Sequence, residues 1–334
     1  MSFELISMKI FVTRQIPDRG IEMLKTKGYE IIVSPHDRVL SKEELKNYLT
    51  EGKFDAVLCL LTDKVDAEIL DAAGKQCKVF ANYAVGFDNI DIKTAQERGI
   101  MVTNTPGVLT DSVAEHAFSL ILSIAHRVAE SDKFTKEGKY TGWAPMLLLG
   151  ADVSRKTLGI VGLGRIGSRV AHHAAKGFDM KILYYDLKRN EDFEKEFGAA
   201  FKENIDDLFK EADFISIHVP LLPSTKHLVD AKRLGLMKKT AYLINTSRGP
   251  IVDEATLVAA LQKKEIAGAA LDVTDPEPIP LDDPLLSLDN CLIVPHIGSA
   301  SVATRIRMAM LAAENLAAFL TGRRPPAPVN PEVL

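Results

Sequence analysis

Features typical of secreted, membrane and nucleic-acid-binding proteins are scarce in this sequence. Its three cysteines, Cys59, Cys77 and Cys291, are odd in number and have no metal-ligand spacing, so we expect buried free thiols in a reducing cytoplasm. No apolar run approaches the roughly 20 residues of a membrane-spanning helix, and the first residues lack the basic and apolar regions of a signal peptide. A net charge of −4 disfavours nucleic acid, whose binding depends on concentrated Lys and Arg. We therefore expect a cytoplasmic protein with neither a membrane nor a nucleic acid as its partner.

What the sequence does have is a regular alternation of apolar runs and amphipathic stretches. This is the pattern of parallel sheets covered by helices, and 334 residues are enough for two domains. The predicted strands form two series: Lys9–Thr13, Glu30–Val33, Ala56–Leu60, Val79–Asn82 and Met101–Thr103, then Thr157–Gly162, Lys181–Tyr185, Phe214–His218, Ala241–Asn245, Ala267–Leu271 and Leu292–Val294. The sequence therefore predicts an α/β protein with two doubly wound units.

The boundary between the units is expected at Thr-Pro-Gly, residues 105–107, just before a helix. Apolar residues at helical spacing predict that helix over Asp111–Val128, after capping residues at its start. The last helix, predicted over Ala300–Leu320, would most simply pack back on the first unit. We therefore expect a discontinuous substrate domain, 1–107 with 299–334, and an inserted NAD-binding domain, 108–298.

A glycine pattern typical of dinucleotide-binding proteins follows the first strand of the second series. Gly162 permits a tight turn, Gly164 lets the backbone approach a pyrophosphate, and Gly167 lets the next helix pack against the strand. The helix presents free N–H groups to the phosphates at its N-terminus. The second strand ends in Asp186, 19 residues after Gly167, where a carboxylate accepts hydrogen bonds from an adenosine ribose. A chance glycine turn is the alternative, and the strand, helix and acid around it disfavour that interpretation.

The acid at the end of the second strand also informs the choice of cofactor. A carboxylate at Asp186 would repel a 2′-phosphate, which favours NAD over NADP. Lys188 and Arg189 follow closely and would tolerate the extra phosphate. The predicted cofactor is therefore NAD, with NADP possible.

Arg248, Glu277 and His296 lie in three segments that follow predicted strands, where open α/β sheets bind ligands. Reduction of a 2-keto acid needs a cation to hold the carboxylate and polarise the carbonyl, and an acid to protonate the carbonyl oxygen. Histidine suits the acid because it titrates near neutrality, and a carboxylate stabilises its protonated form. Taken singly, the arginine could form a surface ion pair, the histidine could have a structural role through its hydrogen bonds, and the glutamate could simply be exposed to solvent. Their joint placement beyond a dinucleotide fold favours a catalytic site.

The segments 162–167, 245–252, 270–278 and 295–299 resemble those of the D-isomer-specific 2-hydroxyacid dehydrogenases, and the likeness extends over nearly the whole chain. The resemblance implies a Rossmann dinucleotide-binding domain inserted in a flavodoxin-like substrate domain. It also implies that the enzyme transfers hydride between NAD(P) and a small 2-keto or 2-hydroxy acid.

The same resemblance implies a role for individual residues. Arg248 would bind the substrate carboxylate and carbonyl, His296 would donate the proton, and Glu277 would hydrogen-bond that histidine. The backbone N–H groups of Val85 and Gly86 would bind the substrate carboxylate. The residues expected at the cofactor, with Asp272 beside the nicotinamide, are Gly162, Leu163, Gly164, Arg165, Ile166, Gly167, Asp186, Leu187, Lys188, Thr246, Ser247, Arg248, Asp272, His296 and Gly298. No metal is expected.

One segment is similar to a particular branch of the family, the glyoxylate and hydroxypyruvate reductases. Trp143, the only tryptophan, and Pro145 match a Trp-x-Pro motif whose tryptophan reaches into the substrate pocket of the neighbouring subunit. This implies a homodimer that reduces glyoxylate, and hydroxypyruvate, with His296 as proton donor. The alternatives are an ordinary interface anchor for the tryptophan and a buried strand or subunit contact for Met146–Leu149.

Two other functions remain open for the chain as a whole. One is a different D-2-hydroxyacid dehydrogenase, such as phosphoglycerate dehydrogenase; Glu277 in place of glutamine argues against formate dehydrogenase. The other is a dinucleotide-sensing dimeric scaffold, which the absence of long interaction segments disfavours. Several glyoxylate reductases that prefer NADPH have a small polar residue where this chain has Asp186, so the resemblance does not carry their cofactor preference with it.

Overall fold

The computed structural model describes residues 8–334. The chain divides into two compact units, Met1–Leu109 with Ala300–Leu334, and Thr110–Ser299. The sequence analysis placed the breaks after residues 107 and 298, and the contacts within the chain place them after residues 109 and 299. Within residues 8–334, no helix is both long and apolar enough to cross a membrane.

The first unit is a parallel sheet of five strands with helices between them. The strands are β1 (Lys9–Val12), β2 (Glu30–Val33), β3 (Ala56–Leu60), β4 (Val79–Tyr83) and β5 (Met101–Thr103). The helices are α1 (Asp18–Thr26), α2 (Lys42–Gly52), α3 (Ala67–Ala72), α4 (Ile92–Glu97) and the C-terminal helix (Val302–Leu320), followed by a 3₁₀ turn at Pro331–Val333. The strand order β2-β1-β3-β4-β5 is the flavodoxin-like order.

The C-terminal helix belongs to the first unit, where it packs against α1 and β4. The contact with α1 requires a glycine, because a Cβ added at Gly20 would lie only 2.7 Å from the carbonyl oxygen of Ala309. The helix begins after Ser301, whose hydroxyl accepts from the backbone N–H of Thr304 and so satisfies one of the free donors of the first turn. Tyr83, at the end of β4, donates to the carbonyl oxygen of Arg305 at 2.7 Å.

The second unit is a parallel sheet of seven strands. Its strands are β6 (Thr157–Val161), β7 (Lys181–Tyr185), β8 (Ala200–Phe201), β9 (Phe214–Ile217), β10 (Tyr242–Asn245), β11 (Gly268–Leu271) and β12 (Cys291–Ile293). Its helices are α5 (Thr110–Ala125), α6 (Val128–Lys136), α7 (Arg165–Phe178), α8 (Glu191–Phe197), α9 (Ile205–Glu211), α10 (Ala231–Leu236) and α11 (Glu254–Gln262), with 3₁₀ turns at Gly249–Ile251 and Pro284–Ser287.

The order of the second sheet is β12-β11-β10-β9-β6-β7-β8. Counted from β6, this is the Rossmann order 3-2-1-4-5-6 with a seventh strand added at the edge. The order reverses between β6 and β9, and open α/β sheets bind their ligands in the crevice at the carboxyl ends of the strands at such a point. Both sheets are parallel throughout. The predicted architecture of two doubly wound α/β domains is therefore confirmed.

Two details differ from the sequence prediction. The helix predicted over Asp111–Val128 ends at Ala125, because the left-handed backbone of Arg127 (φ 55°) breaks the helical path before α6 begins at Val128. The carbonyl oxygen of Ala125 accepts from the N–H of Ala151, so it is not free to continue the helix. The two-residue strand β8 was missed because it is too short to show a pattern.

Candidate active site

The turn after β6 places three glycines between the strand and α7. Gly162 has φ +96°, and a Cβ there would lie 2.8 Å from the carbonyl oxygen of His218. A Cβ at Gly167 would lie 2.1 Å from the carbonyl oxygen of Gly162, so this glycine lets α7 pack against the turn. A Cβ at Gly164 would meet no atom within 4 Å. Close packing therefore explains why residues 162 and 167 are glycines, whereas Gly164 leaves the backbone open beside the start of α7.

Asp186 follows β7 and lies against this turn. Its Oδ2 accepts from the backbone N–H of Leu163 at 2.7 Å, and its Oδ1 accepts from that of Lys188 at 3.4 Å. The carboxylate is therefore held beside the glycines, although it lies 19 residues beyond Gly167 in the sequence.

Arg248 lies in the loop after β10, and the polar residues before it shape that loop. The side chain of Asn245 accepts from the N–H of Ser247 at 3.0 Å and donates to the carbonyl oxygen of Arg248 at 2.9 Å. The hydroxyl of Ser247 donates to the carbonyl oxygen of Ile217, at the end of β9, at 2.8 Å. These bonds tie the arginine loop to the carboxyl ends of two neighbouring strands.

The arginine loop also approaches the loop after β11 at van der Waals distance. A Cβ at Gly249 would lie 1.9 Å from the carbonyl oxygen of Thr274, so only glycine permits the approach. The second loop is held in turn by the N–H of Asp275, which donates to Glu254 at 3.0 Å, and by the hydroxyl of Thr274, which donates to the carbonyl oxygen of Pro276 at 2.9 Å. The loops that carry Arg248 and Glu277 are thus neighbours.

Asp272, at the end of β11, is 2% exposed and organises the loop after β12. Its Oδ1 accepts from the N–H of Ile297 at 2.7 Å, and its Oδ2 accepts from that of Gly298 at 2.9 Å. The Nε2 of His116, on α5, lies 3.1 Å from the same carboxylate. Asp272 therefore holds the backbone on the C-terminal side of His296, which explains why an acid is buried there.

His296 and Glu277 form the closest polar contact of the site. The Nδ1 of His296 lies 2.6 Å from the Oε1 of Glu277. His296 has φ +51°, a conformation that a non-glycine residue rarely adopts, and its N–H donates to the carbonyl oxygens of Asp272 and Val294 at 2.9 and 3.0 Å. With Nδ1 engaged by the carboxylate, Nε2 is the ring nitrogen left for a substrate.

Sequence reasoning missed His218, which follows β9 at the point where the strand order reverses. Its Nε2 lies 2.8 Å from the hydroxyl of Ser216, and burial lowers the pKa of His218 to about 3. This histidine is therefore uncharged at neutral pH, so it cannot act as a general acid in the way that an imidazolium does. Its backbone and the side chain of Val219 enclose Gly162. The strand order would have identified the position, but a sequence shows no strand order.

The residues around the glycine turn fit a dinucleotide. Gly164 has no side chain to cap α7, so the first N–H groups of this helix are available to a phosphate. The hydroxyl of Thr246, in the arginine loop, is buried without a hydrogen-bond partner in the described chain. A bound dinucleotide would cover the open backbone face and would provide hydrogen-bond partners for the uncapped helix and for the hydroxyl of Thr246.

The predicted carboxylate-binding loop, with Val85 and Gly86, lies in the first unit. It follows β4 at the carboxyl edge of that sheet, and both residues are partly exposed. This edge is where open α/β sheets bind ligands.

The segment around Trp143 is exposed and has no regular secondary structure. The side chains of Trp143, Met146 and Leu149 are 82%, 76% and 56% exposed. The alternative prediction of a buried strand over Met146–Leu149 is wrong, because this stretch forms a turn. A groove of about 950 Å³ lies beside it, at the amino ends of β10 to β12 and thus at the opposite edge from His296; its lining includes Ile124, Leu149, Tyr242, Leu261, Leu286 and Leu288.

Comparisons with known proteins agree with this geometry. The profile described as D-isomer specific 2-hydroxyacid dehydrogenase, NAD binding domain, matches residues 118–298. A relative named glyoxylate reductase, from Korarchaeum cryptofilum, is 50% identical over 98% of this chain and 97% of its own length. The predicted NAD(P) cofactor is confirmed.

Solved structures show the same likeness. A protein from Thermus thermophilus has a TM-score of 0.90 at 43% identity, over 96% of this chain and 100% of its own. An NADPH-dependent glyoxylate/hydroxypyruvate reductase from Sinorhizobium meliloti, in complex with NADP and malonate, has a TM-score of 0.83 at 31% identity, over 97% of both chains. The chain therefore belongs to the D-isomer-specific 2-hydroxyacid dehydrogenase family.

Proposed function

We propose that this enzyme reduces glyoxylate, and hydroxypyruvate, to the corresponding 2-hydroxy acid, with NADH as the preferred cofactor. The observation that carries the proposal is the 2.6 Å contact between His296 and Glu277, because the loop of Glu277 packs against the loop that carries Arg248. The names of the relatives point to the same substrates, since glyoxylate reductase is the name of the relative that is half identical over nearly the whole chain.

Each of the three residues has one task in the proposed reaction. The guanidinium of Arg248 binds the substrate carboxylate and polarises the carbonyl oxygen. His296 gives its Nε2 proton to that oxygen, and Glu277 accepts from Nδ1 and balances the positive charge that the ring carries before the transfer. The reduced nicotinamide supplies the hydride for the carbonyl carbon. Glyoxylate, NADH and a proton thus become glycolate and NAD⁺.

The remaining predicted residues bind and orient the reactants. The glycine turn and the N-terminus of α7 would hold the pyrophosphate, and Asp186 the adenosine ribose. Thr246 would complete its hydrogen bonding on the cofactor. Asp272 acts through the backbone of the loop it holds, and the N–H groups of Val85 and Gly86 bind the substrate carboxylate.

The direct test is a panel of 2-keto acids assayed with NADH and with NADPH under matched conditions. We expect turnover of glyoxylate and hydroxypyruvate, followed through the loss of reduced nicotinamide absorbance. A higher kcat/KM for 3-phosphohydroxypyruvate would favour the phosphoglycerate dehydrogenase alternative. A protein that binds NADH but reduces none of these acids would favour the scaffold.

Asp186→Asn is expected to move the cofactor preference towards NADPH. The amide oxygen can still accept from the N–H of Leu163, while the charge that faces a 2′-phosphate is removed. The ratio of kcat/KM for NADPH to that for NADH should rise by about tenfold or more, the order expected for one charge a few ångströms away. Asp192→Asn, on the exposed surface of α8, is the matched control. A wild-type preference for NADPH would contradict this assignment.

We also propose that the enzyme is a homodimer in which Trp143 of each subunit completes the site of the other. A tryptophan and two further apolar side chains exposed in one short segment are costly in water, which favours a second copy of the chain as their cover. A two-fold axis would bring the segment of each copy to the other copy, and such dimers are the commonest assembly.

Trp143→Ala is expected to raise KM for glyoxylate by about tenfold, as for loss of a well-packed interface aromatic, with the affinity for NADH unchanged. Light scattering reports the assembly and steady-state kinetics reports KM. Tyr140→Ala, an exposed aromatic of the same segment, is the control and should leave KM near the wild-type value. A fully active monomer would refute the shared site.

A further inference from the structure

The loop after β4 has an unusual pattern of hydrogen bonds. Three successive carbonyl oxygens accept from three different donors of the first unit: Ala84 from the N–H of Thr105 at 2.8 Å, Val85 from the Nδ2 of Asn104 at 2.7 Å, and Gly86 from the Nδ2 of Asn82 at 2.8 Å. Two of the three donors are side-chain amides. The orientation of each peptide group in this short loop is therefore set by an outside partner.

Asn82 is fully buried at the end of β4. Besides the carbonyl oxygen of Gly86, its Nδ2 contacts the Oδ1 of Asn89 at 3.1 Å. Asn89 donates in turn to the carbonyl oxygens of Leu60 and Asp63, at 3.1 and 3.0 Å, in the loop after β3. The amide that holds Gly86 is thus itself fixed by Asn89, which in turn bonds the end of β3 and the loop after it.

Asn104, after β5, is held by the C-terminal part of the chain. Its N–H donates to the carbonyl oxygen of Ala327 at 3.2 Å, and its own carbonyl oxygen accepts from the Nδ2 of Asn315 at 2.9 Å. Asn315 is fully buried on the C-terminal helix, and its Oδ1 accepts from the N–H of Ala327 at 2.9 Å. The position of the Asn104 side chain therefore depends on Asn315.

The consequence concerns the N–H groups of the loop. In a trans peptide the C=O and the following N–H point in opposite directions. Holding the carbonyl oxygens of Ala84 and Val85 therefore fixes the directions of the N–H groups of Val85 and Gly86. Within the first unit, over residues 8–109 and 300–334, neither of these two N–H groups donates a hydrogen bond.

We propose that Asn104 and Asn315 are positioning residues that hold the N–H groups of Val85 and Gly86 ready for the substrate carboxylate, while Asn82 fixes the next peptide group of the loop. The inference rests on the proposed function, because it takes the anion to be the carboxylate of a 2-keto acid. Because the directions of these N–H groups are already fixed, little conformational entropy is lost when the anion binds, and this favours binding. The carboxylate has the same charge before and during hydride transfer, so these residues should affect KM far more than kcat.

The test is Asn104→Ala, with Asn330→Ala as a matched control. Asn330, another asparagine of the first unit, is fully buried, and its side chain also bonds backbone, accepting from the N–H of Val102 at 2.7 Å and donating to the carbonyl oxygen of Ile100 at 2.9 Å. Both variants lose hydrogen bonds from a side-chain amide to the backbone, so both should lose stability, but only Asn104 contacts the loop. Asn104→Ser, which keeps a small polar side chain, replaces the alanine variant if that one does not fold.

For Asn104→Ala we expect KM for glyoxylate and the inhibition constant of oxamate to rise together by about tenfold, the lower end for a weakened bond to a charged group. The kcat value should change by less than about threefold, and the dissociation constant of NADH should not change. Asn330→Ala should lower Tm and leave KM unchanged. An unchanged KM in Asn104→Ala, or an equal rise in Asn330→Ala, would overturn the inference.

Failure of this inference can be distinguished from failure of the proposed function. If the wild type prefers another 2-keto acid, the proposed substrate is wrong, and the same comparison is made with the acid that it does reduce. An enzyme that reduces no 2-keto acid and does not bind oxamate would overturn both.

Discussion

Replacing His296 with alanine is expected to lower kcat for glyoxylate reduction by about 10²- to 10⁴-fold, the usual contribution of a general acid. The carbonyl oxygen gains a proton as the carbon gains hydride, and without the imidazole that proton must come from water. In the wild type the 2.6 Å contact with Glu277 occupies Nδ1 of His296, so Nε2 is the ring nitrogen that donates this proton. His218, which lies against Gly162, is no substitute, because burial lowers its pKa to about 3.

The same variant should bind NADH as the wild type does, because the glycine turn and Asp186 are untouched. Fluorescence titration with NADH and single-turnover measurements separate binding from chemistry. His126→Ala, at an exposed position after α5, is the control for loss of a histidine and should keep the wild-type kcat. Near-wild-type turnover in His296→Ala would remove this residue from the mechanism.

Arg248→Lys is expected to lower kcat/KM by roughly 10- to 100-fold although it conserves the charge, since a hydrogen bond to a charged group is worth about 1.5–3 kcal/mol. A guanidinium is a planar fork that reaches the carboxylate and the carbonyl together, whereas an ammonium is a point charge on a flexible stem. Because the carbonyl oxygen gains negative charge during the reaction, part of the loss should fall on kcat.

The control for this substitution is Arg98→Lys. Arg98 makes a two-pronged contact with Asp71, at 2.6 and 2.9 Å, on the exposed surface of the first unit, and it is not among the predicted site residues. Steady-state kinetics on the two variants should therefore differ sharply. If Arg248→Lys kept its kcat/KM, the substrate would be held by a single charge and the forked geometry would be irrelevant.

Structural features that depend on residues close together in the chain could be predicted from the sequence. The glycines at 162, 164 and 167 act within one strand, turn and helix, so their spacing alone indicated the turn. The apolar strands were placed to within one or two residues because burial on both faces of a parallel sheet leaves a continuous apolar run.

Features set by distant contacts could not be predicted in this way. The end of α5 at Ala125 depends on Ala151, which lies far along the chain. From the sequence, Asp272 was expected beside the nicotinamide. Its hydrogen bonds to the backbone N–H groups of Ile297 and Gly298 could not be predicted. The asparagines behind the loop at Val85 went unnoticed because their partners come from both ends of the chain.

The discontinuity of the first unit bears on how the protein is made. Its last structural partners, Asn315 and Asn330, bond to residues around Asn104 and Val102, more than 200 positions earlier. On the ribosome, β1 to β5 emerge long before these partners exist, whereas Thr110–Ser299 is a continuous stretch that can fold as soon as it is released. The order of folding is then the reverse of the order of synthesis, because the unit begun first must wait for the end of the chain. During that interval its strands lack the C-terminal helix that packs on them, so apolar surface of the first unit stays exposed until that helix is made.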